Sequence, residues 1–169
     1  MVQSIGIVQK KVDAHLILAG DFSSDSLKGE IKNIEGVNNV EYKGFLSRKE
    51  LAELLGHVKA GLVLFHPAPN HIHAQPNKMF EYMSAGIPAI GSDFPLWREI
   101  IEGEDCGICV DLFNLEEIAG AIRWIIEHPA EAERMGKNGR RAAEERYNWS
   151  IEEKKLIEFY EKPMKATGK

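Results

Sequence analysis

Lys78 and Glu81 stand near the start of a segment, Pro76 to Gly86, in which Met79, Phe80 and Met83 recur at helical spacing. The first turn of a helix leaves backbone N–H groups unpaired at the positive end of the dipole, a ready anion site. A lysine in that turn opposes the dipole, and a bound phosphate would compensate it. An ordinary solvent-exposed Pro-Asn-Lys turn accounts for it equally well. Glu81, one turn further on, offers two adjacent acceptors, which suits a vicinal diol such as a ribose. An exposed helical glutamate also needs no ligand to explain it. Cys106 and Cys109 form a C-x-x-C pair. A redox pair of that kind opens a helix, whereas Cys109-Val110 reads as strand. Zinc would need two more ligands, which His66, His71 and His73 would have to bring from elsewhere in the fold. We read two reduced thiols, with Cys109 in the core, and assign no metal site; His66 and His71 read as polar loop side chains.

The apolar pattern gives the elements that must position these groups. Ile5, Val8 and Val12 read as a helix end, the continuous apolar run Leu16 to Ala19 reads as a strand buried on both faces, and Val40 to Tyr42, Ala60 to Phe65, Ile87 to Ile90 and Ile108 to Val110 read as further strands. Between them lie helices: one with Leu27, Ile31 and Ile34; one opened by a Ser47/Glu50 capping box with Leu51, Leu54 and Leu55; the Pro76 helix; and one from Pro95 through Ile101. Asn114 and Glu117 cap a helix with Ile118, Ile122, Ile125 and Ile126. After Pro129 the pattern is helical only, with a break near Gly136 to Gly139, and Ser150 with Glu153 forms a capping box before a terminal helix over 150–163. Strands alternating with helices predict an α/β fold: a Rossmann-like parallel sheet of about five strands with helices on both faces. A doubly wound sheet normally begins with a strand and this chain with a helix, so we expect the first strand to be lacking.

The 169 residues fit one domain. A composition 44% apolar and 28% charged supports a packed core, and a net charge of -5 disfavours sequence-independent nucleic-acid binding. No apolar run approaches the ~20 residues of a membrane span and no signal peptide is evident, so we expect a cytoplasmic chain. In open parallel sheets ligands collect beyond the carboxyl ends of the strands. Those ends lead into Gly20 to Ser24, Gly44 to Ser47, His66 to Gln75 and Gly91 to Phe94. There is no G-x-G-x-x-G, no P-loop and no G-x-S-x-G elbow.

The run Asn77-Lys78-Met79-Phe80-Glu81-Tyr82-Met83-Ser84-Ala85-Gly86-Ile87-Pro88-Ala89-Ile90 resembles a segment of the retaining GT-B glycosyltransferases of the glycosyl transferases group 1 family. In those enzymes a helix carries a ribose-binding Glu and an Ala-Gly-x-Pro turn leads into a strand. Leu18-Ala19-Gly20-Asp21, Val40 through Ser47, Ser92-Asp93 through Arg98-Glu99-Ile100, and Cys106-Gly107-Ile108 keep the same family order over nearly the whole chain. The resemblance implies the C-terminal, nucleotide-sugar-binding half of such an enzyme, half of a GT-B fold. It implies transfer of a sugar from a nucleoside-diphosphate donor to a hydroxyl with retention, in cell-surface polysaccharide or glycoconjugate synthesis. By position, Glu81 would hold the ribose, Gly44, Phe45 and Leu46 the base, Asn77 and Lys78 the diphosphate, and His73 the sugar. His73 and Lys78 are also the candidates for a catalytic part. No cofactor or metal is required in that scheme.

Two departures matter. His73 stands where the family's E-x7-E pattern has its first Glu, and Ala74-Gln75-Pro76 replaces Gly-Phe-Gly, so Pro76 offers a phosphate no N–H. The family's Arg and Lys after the first strand, and its N-terminal acceptor domain, lie outside this sequence. The chain alone is therefore expected to be inactive. The terminal helix would pack toward the acceptor domain or self-associate through Trp149, Phe159 or Tyr160, and the whole enzyme would associate with the inner face of a membrane. The alternatives are a non-catalytic α/β interaction module, or another GT-B enzyme such as an epimerase or phosphorylase. A receiver-like module would need clustered carboxylates, and Asp21 and Asp93 lack an adjacent acidic partner.

Overall fold

The computed structural model describes residues 1–166, with side chains through residue 161. Five parallel strands alternate with helices in the order α1 (Val2–Gln9), β1 (Leu16–Ala19), α2 (Asp25–Ile31), β2 (Val40–Gly44), α3 (Arg48–Leu55), β3 (Gly61–Val63), α4 (Pro69–Ile72), α5 (Asn77–Ala85), β4 (Ala89–Ser92), α6 (Pro95–Ile101), β5 (Gly107–Val110), α7 (Leu115–Glu127), α8 (Pro129–Glu145) and α9 (Trp149–Ala166). A 3-10 turn at Val37–Asn39 precedes β2. The predicted α/β class with helices on both faces is present. No helix of the described residues is long and apolar enough to cross a membrane.

The strands form two hydrogen-bonded pieces, β1-β2 and β3-β4-β5, where the sequence suggests one sheet. Leu16 pairs with Val40, Gly61 with Ala89 and Ala89 with Gly107, all in parallel register. Side chains alternate between two cores, as strand period demands. Val63, Ala89 and Cys109 face Met79, Met83, Trp97, Ile101 and Ala142 on one side. Leu16, Ile90 and Val110 face Ile5 and Val8 of α1 and Ile118, Ile122 and Ile125 of α7 on the other. Because Leu16 joins the second core, apolar packing unites the two pieces where no strand ladder does.

Several boundaries differ from the sequence reading, each for a local reason. β3 stops at Val63, and Phe65 pairs with a side chain instead of a strand. β4 begins at Ala89: the Ile87 N–H donates back to the Tyr82 carbonyl, and Pro88 has no N–H to give. Helix α1 ends at Gln9, short of Val12. Gly136 and Gly139 do not break α8, which runs unbroken to Glu145. The predicted Ser150/Glu153 cap is replaced by Asn148, whose Oδ1 accepts from the Ile151 N–H at 3.2 Å. The Ser47/Glu50 box and the Asn114 cap form as read.

Candidate functional site

Helix α5 is placed by its apolar stripe. Met79 and Met83, four residues apart, are fully buried, which turns Asn77, Glu81 and Ser84 outward on the opposite face. Gly86 ends the helix at φ 74°, a left-handed conformation that glycine adopts without a Cβ penalty. At the other end Pro76 is the N-cap residue and no side chain caps the helix. The Asn77 side chain makes no hydrogen bond among the described residues, and Lys78 is the first-turn cation.

The outward face of α5 forms one wall of a cleft of about 770 Å³, facing α3. Asn77, Phe80, Glu81 and Ser84 line it from α5, Arg48, Leu51 and Leu55 from α3, and Arg140 from α8. This volume is in the range of small-molecule sites. The Glu81 carboxylate is exposed and makes no hydrogen bond or ion pair within the described residues. Arg48 occupies the first helical position of α3 and faces the same cleft, a second cation placed against a helix dipole.

Lys78 leaves this cleft for the other flank of α5. Its Nζ lies 4.5 Å from the centre of the Phe65 ring, within cation–π range. Burial there holds the ammonium below the usual lysine range, and Glu81 draws it part of the way back. Phe65 also meets the His71 ring at 5.0 Å and the Trp97 ring edge-on at 5.8 Å. The stretch read as a polar loop contains a helical turn, α4, and His71 Nδ1 lies 2.9 Å from the His66 carbonyl oxygen. His73 comes directly after that turn with its side chain exposed.

Asn77 and Glu81 are thus brought together in the cleft, Lys78 lies on the neighbouring flank against Phe65, and His73 makes no contact among the described residues that joins it to either. Gly44, Phe45 and Leu46 are not among the cleft-lining residues. Gly44 closes β2 at φ 65°, its carbonyl accepts from the Gly20 N–H at 2.7 Å, and Phe45 is 80% exposed. Their link to the cleft runs through the adjoining Ser47, which caps the helix that presents Arg48. Sequence reasoning missed Arg48 and Arg140; an unpaired arginine opening a capped helix was the available signal for Arg48. Cys106 and Cys109 are free and buried, and their thiols are pushed up to about 12, chiefly by burial and next by nearby carboxylates. No group of three or more metal-binding side chains assembles among the described residues.

The sequence model described as "Glycosyl transferases group 1" matches residues 1–142. A curated relative, the MMP alpha-(1->4)-mannosyltransferase of Mycolicibacterium hassiacum, is 28% identical over 69% of this chain and 28% of its own length. The sucrose-phosphate synthase structure from Thermosynechococcus elongatus superposes with a TM-score of 0.78 at 21% identity, over 98% of this chain and 43% of that one. Anabaena HepE in complex with UDP gives 0.76 at 20% identity, over 95% and 44%. The chain therefore spans less than half the length of each of these three proteins.

Proposed function

From the membership of this chain in the glycosyl transferases group 1 family, we propose that it is the nucleotide-sugar-binding half of a retaining glycosyltransferase. The donor is a nucleoside-diphosphate sugar and the acceptor a hydroxyl, in polysaccharide or glycoconjugate synthesis. One observation carries the reading: a carboxylate that makes no hydrogen bond or ion pair among the described residues, Glu81, lines a cleft one turn from the uncapped N-terminus of α5. A carboxylate accepts hydrogen bonds from both hydroxyls of a ribose, and the free N–H groups and dipole of the helix start suit the diphosphate. The chain also shares its fold with a structure solved in complex with UDP, which supports a nucleotide as the class of ligand.

In the whole enzyme the residues of this half would act by positioning. Glu81 orients the ribose, and Asn77 and Lys78 meet the diphosphate as negative charge develops on it. His73 hydrogen-bonds a sugar hydroxyl, while Gly44, Phe45 and Leu46 approach the base through backbone groups. Catalysis of this kind rests on orientation and electrostatic stabilisation of the departing diphosphate. The chain spans 43% of the sucrose-phosphate synthase, so we propose that an acceptor-binding half completes the site. By itself the chain binds nucleotide and transfers no sugar.

Calorimetric titration with UDP, GDP and ADP tests this. One of the three binds, and Glu81→Ala weakens it by about 10- to 100-fold, the worth of charge-assisted hydrogen bonds. Equal affinity in the variant, or no binding of any of the three, would overturn the proposal.

A further inference from the structure

The loop from Phe65 to Pro76 joins no strand ladder, yet both its ends are gripped from one neighbouring segment. At the first end, the Ser92 hydroxyl accepts from the Phe65 N–H at 2.9 Å and donates to the Phe65 carbonyl at 3.0 Å. Ser92 is the last residue of β4 and is 1% exposed, so the hydroxyl substitutes for a strand partner where the β3 ladder has stopped. At the second end, Trp97 Nε1 donates to the Ala74 carbonyl at 2.7 Å. Ala74 lies between His73 and the start of α5. The Trp97 ring is 1% exposed and packs on Phe65 and Phe94.

Filling the core explains the indole ring of Trp97 but not the direction of its N–H, and an alanine would serve the packing at position 92. Both polar groups are directed at loop backbone. The loop in turn fixes the Phe65 ring, on which Lys78 Nζ rests at 4.5 Å. We propose that Ser92 and Trp97 are positioning residues that hold residues 65–76, and through them Lys78 and the helix start, in place for a diphosphate before it arrives. The proposal rests on the nucleotide-binding reading above and deepens it. A loop ordered in advance spends none of the binding free energy on its own immobilisation.

The test uses Ser92→Ala, Ser92→Thr, which keeps the hydroxyl, and Trp97→Phe, which keeps an aromatic ring and loses the donor. Two readouts are taken on the full chain: hydrogen exchange of the 65–77 peptide without ligand, and titration with UDP, GDP and ADP, each beside its parent nucleoside. Ser92→Ala and Trp97→Phe speed exchange in that peptide and leave the β4 and β5 peptides unchanged. They weaken the diphosphate about tenfold, as loss of one buried hydrogen bond can, and the nucleoside less than about twofold; Ser92→Thr restores both. Unchanged loop exchange overturns the proposal, and so does an equal loss for nucleoside and diphosphate, which a general loss of structure would give. If the parent chain binds none of the diphosphates while loop exchange rises, the nucleotide reading falls and the hold on the loop stands.

Discussion

Gly136 lies within α8 against the C-terminal turn of α5, and an alanine there tests how tightly these two helices fix the site. A methyl group at this position would fall on the Gly86 carbonyl oxygen, 2.7 Å from the Gly86 carbonyl carbon and 3.4 Å from the Ile87 nitrogen. The obstacle is backbone, so either α8 moves away from α5 or the left-handed cap at Gly86 opens. Overpacking of this kind costs about 3 kcal/mol at the upper end of its usual range. Replacing a glycine inside a helix by alanine returns about 1 kcal/mol. The net loss of about 2 kcal/mol lowers Tm by about 6 °C, at about 3 °C per kcal/mol for a chain of this length. Gly120 in α7 is the control, because a methyl group there meets nothing within 4 Å. The same helix gain then stands alone and raises Tm by about 3 °C. Thermal melts of the parent and the two variants, followed by circular dichroism, give the comparison. A Gly136→Ala chain that melts at or above the parent would refute the reasoning.

The Cys106 and Cys109 thiols, pushed up to about 12, keep their protons in the folded chain above the pH at which the unfolded chain loses them. Stability should therefore fall as pH rises from about 9 toward 12; urea midpoints from about pH 8 to 10.5 fall less in a Cys106→Ala/Cys109→Ala double variant, and parallel profiles would exclude the thiols as the cause. On α9, Trp149 is 68%, Phe159 69% and Tyr160 64% exposed, so sedimentation of the isolated chain is expected to show concentration-dependent self-association that Phe159→Glu relieves. A strict monomer at high concentration argues against that surface. Hydrogen exchange should be faster in α2, which has no buried residue, than in β4, whose four residues are all buried; protection of α2 equal to that of β4 would contradict this order.

The features legible in the sequence were those set by neighbours a few residues away. The Ser47/Glu50 box is closed by bonds of 2.8 and 3.3 Å across three residues, and the Met79/Met83 stripe fixed where Glu81 would face. What escaped depends on partners distant in sequence. Gly136 and Gly139 read as a break because glycine marks both weak helices and close approaches, and only the packing of α5 decides which. Ser92 and Trp97 reach across 27 and 23 residues to the loop they hold, and nothing local marks a buried serine as that loop's partner. The Ser150 cap was displaced by Asn148 two residues earlier, a competition between equivalent acceptors that pattern alone does not rank.

The cleft lies where the two pieces of sheet meet through their helices, and this location governs how it works. Arg48, Leu51 and Leu55 belong to α3, which comes after β2, whereas Asn77, Phe80 and Glu81 belong to α5, which leads into β4. No ladder joins β1-β2 to β3-β4-β5 among the described residues. The spacing of the two walls is therefore set by α3 against α5 and by Leu16 and Leu18 in the core beneath α1. Side-chain packing alone resists sliding less than a hydrogen-bonded register does, since a slipped ladder would turn every side chain to the wrong face. A ligand that touches both walls gains affinity for one spacing of the two pieces, and in holding that spacing it stabilises β1-β2 as well. In the proposed enzyme the base-binding loop after Gly44 belongs to one piece and the groups for ribose and diphosphate to the other. One nucleotide bridging both would do in the bound state what backbone pairing leaves undone between the two pieces of sheet.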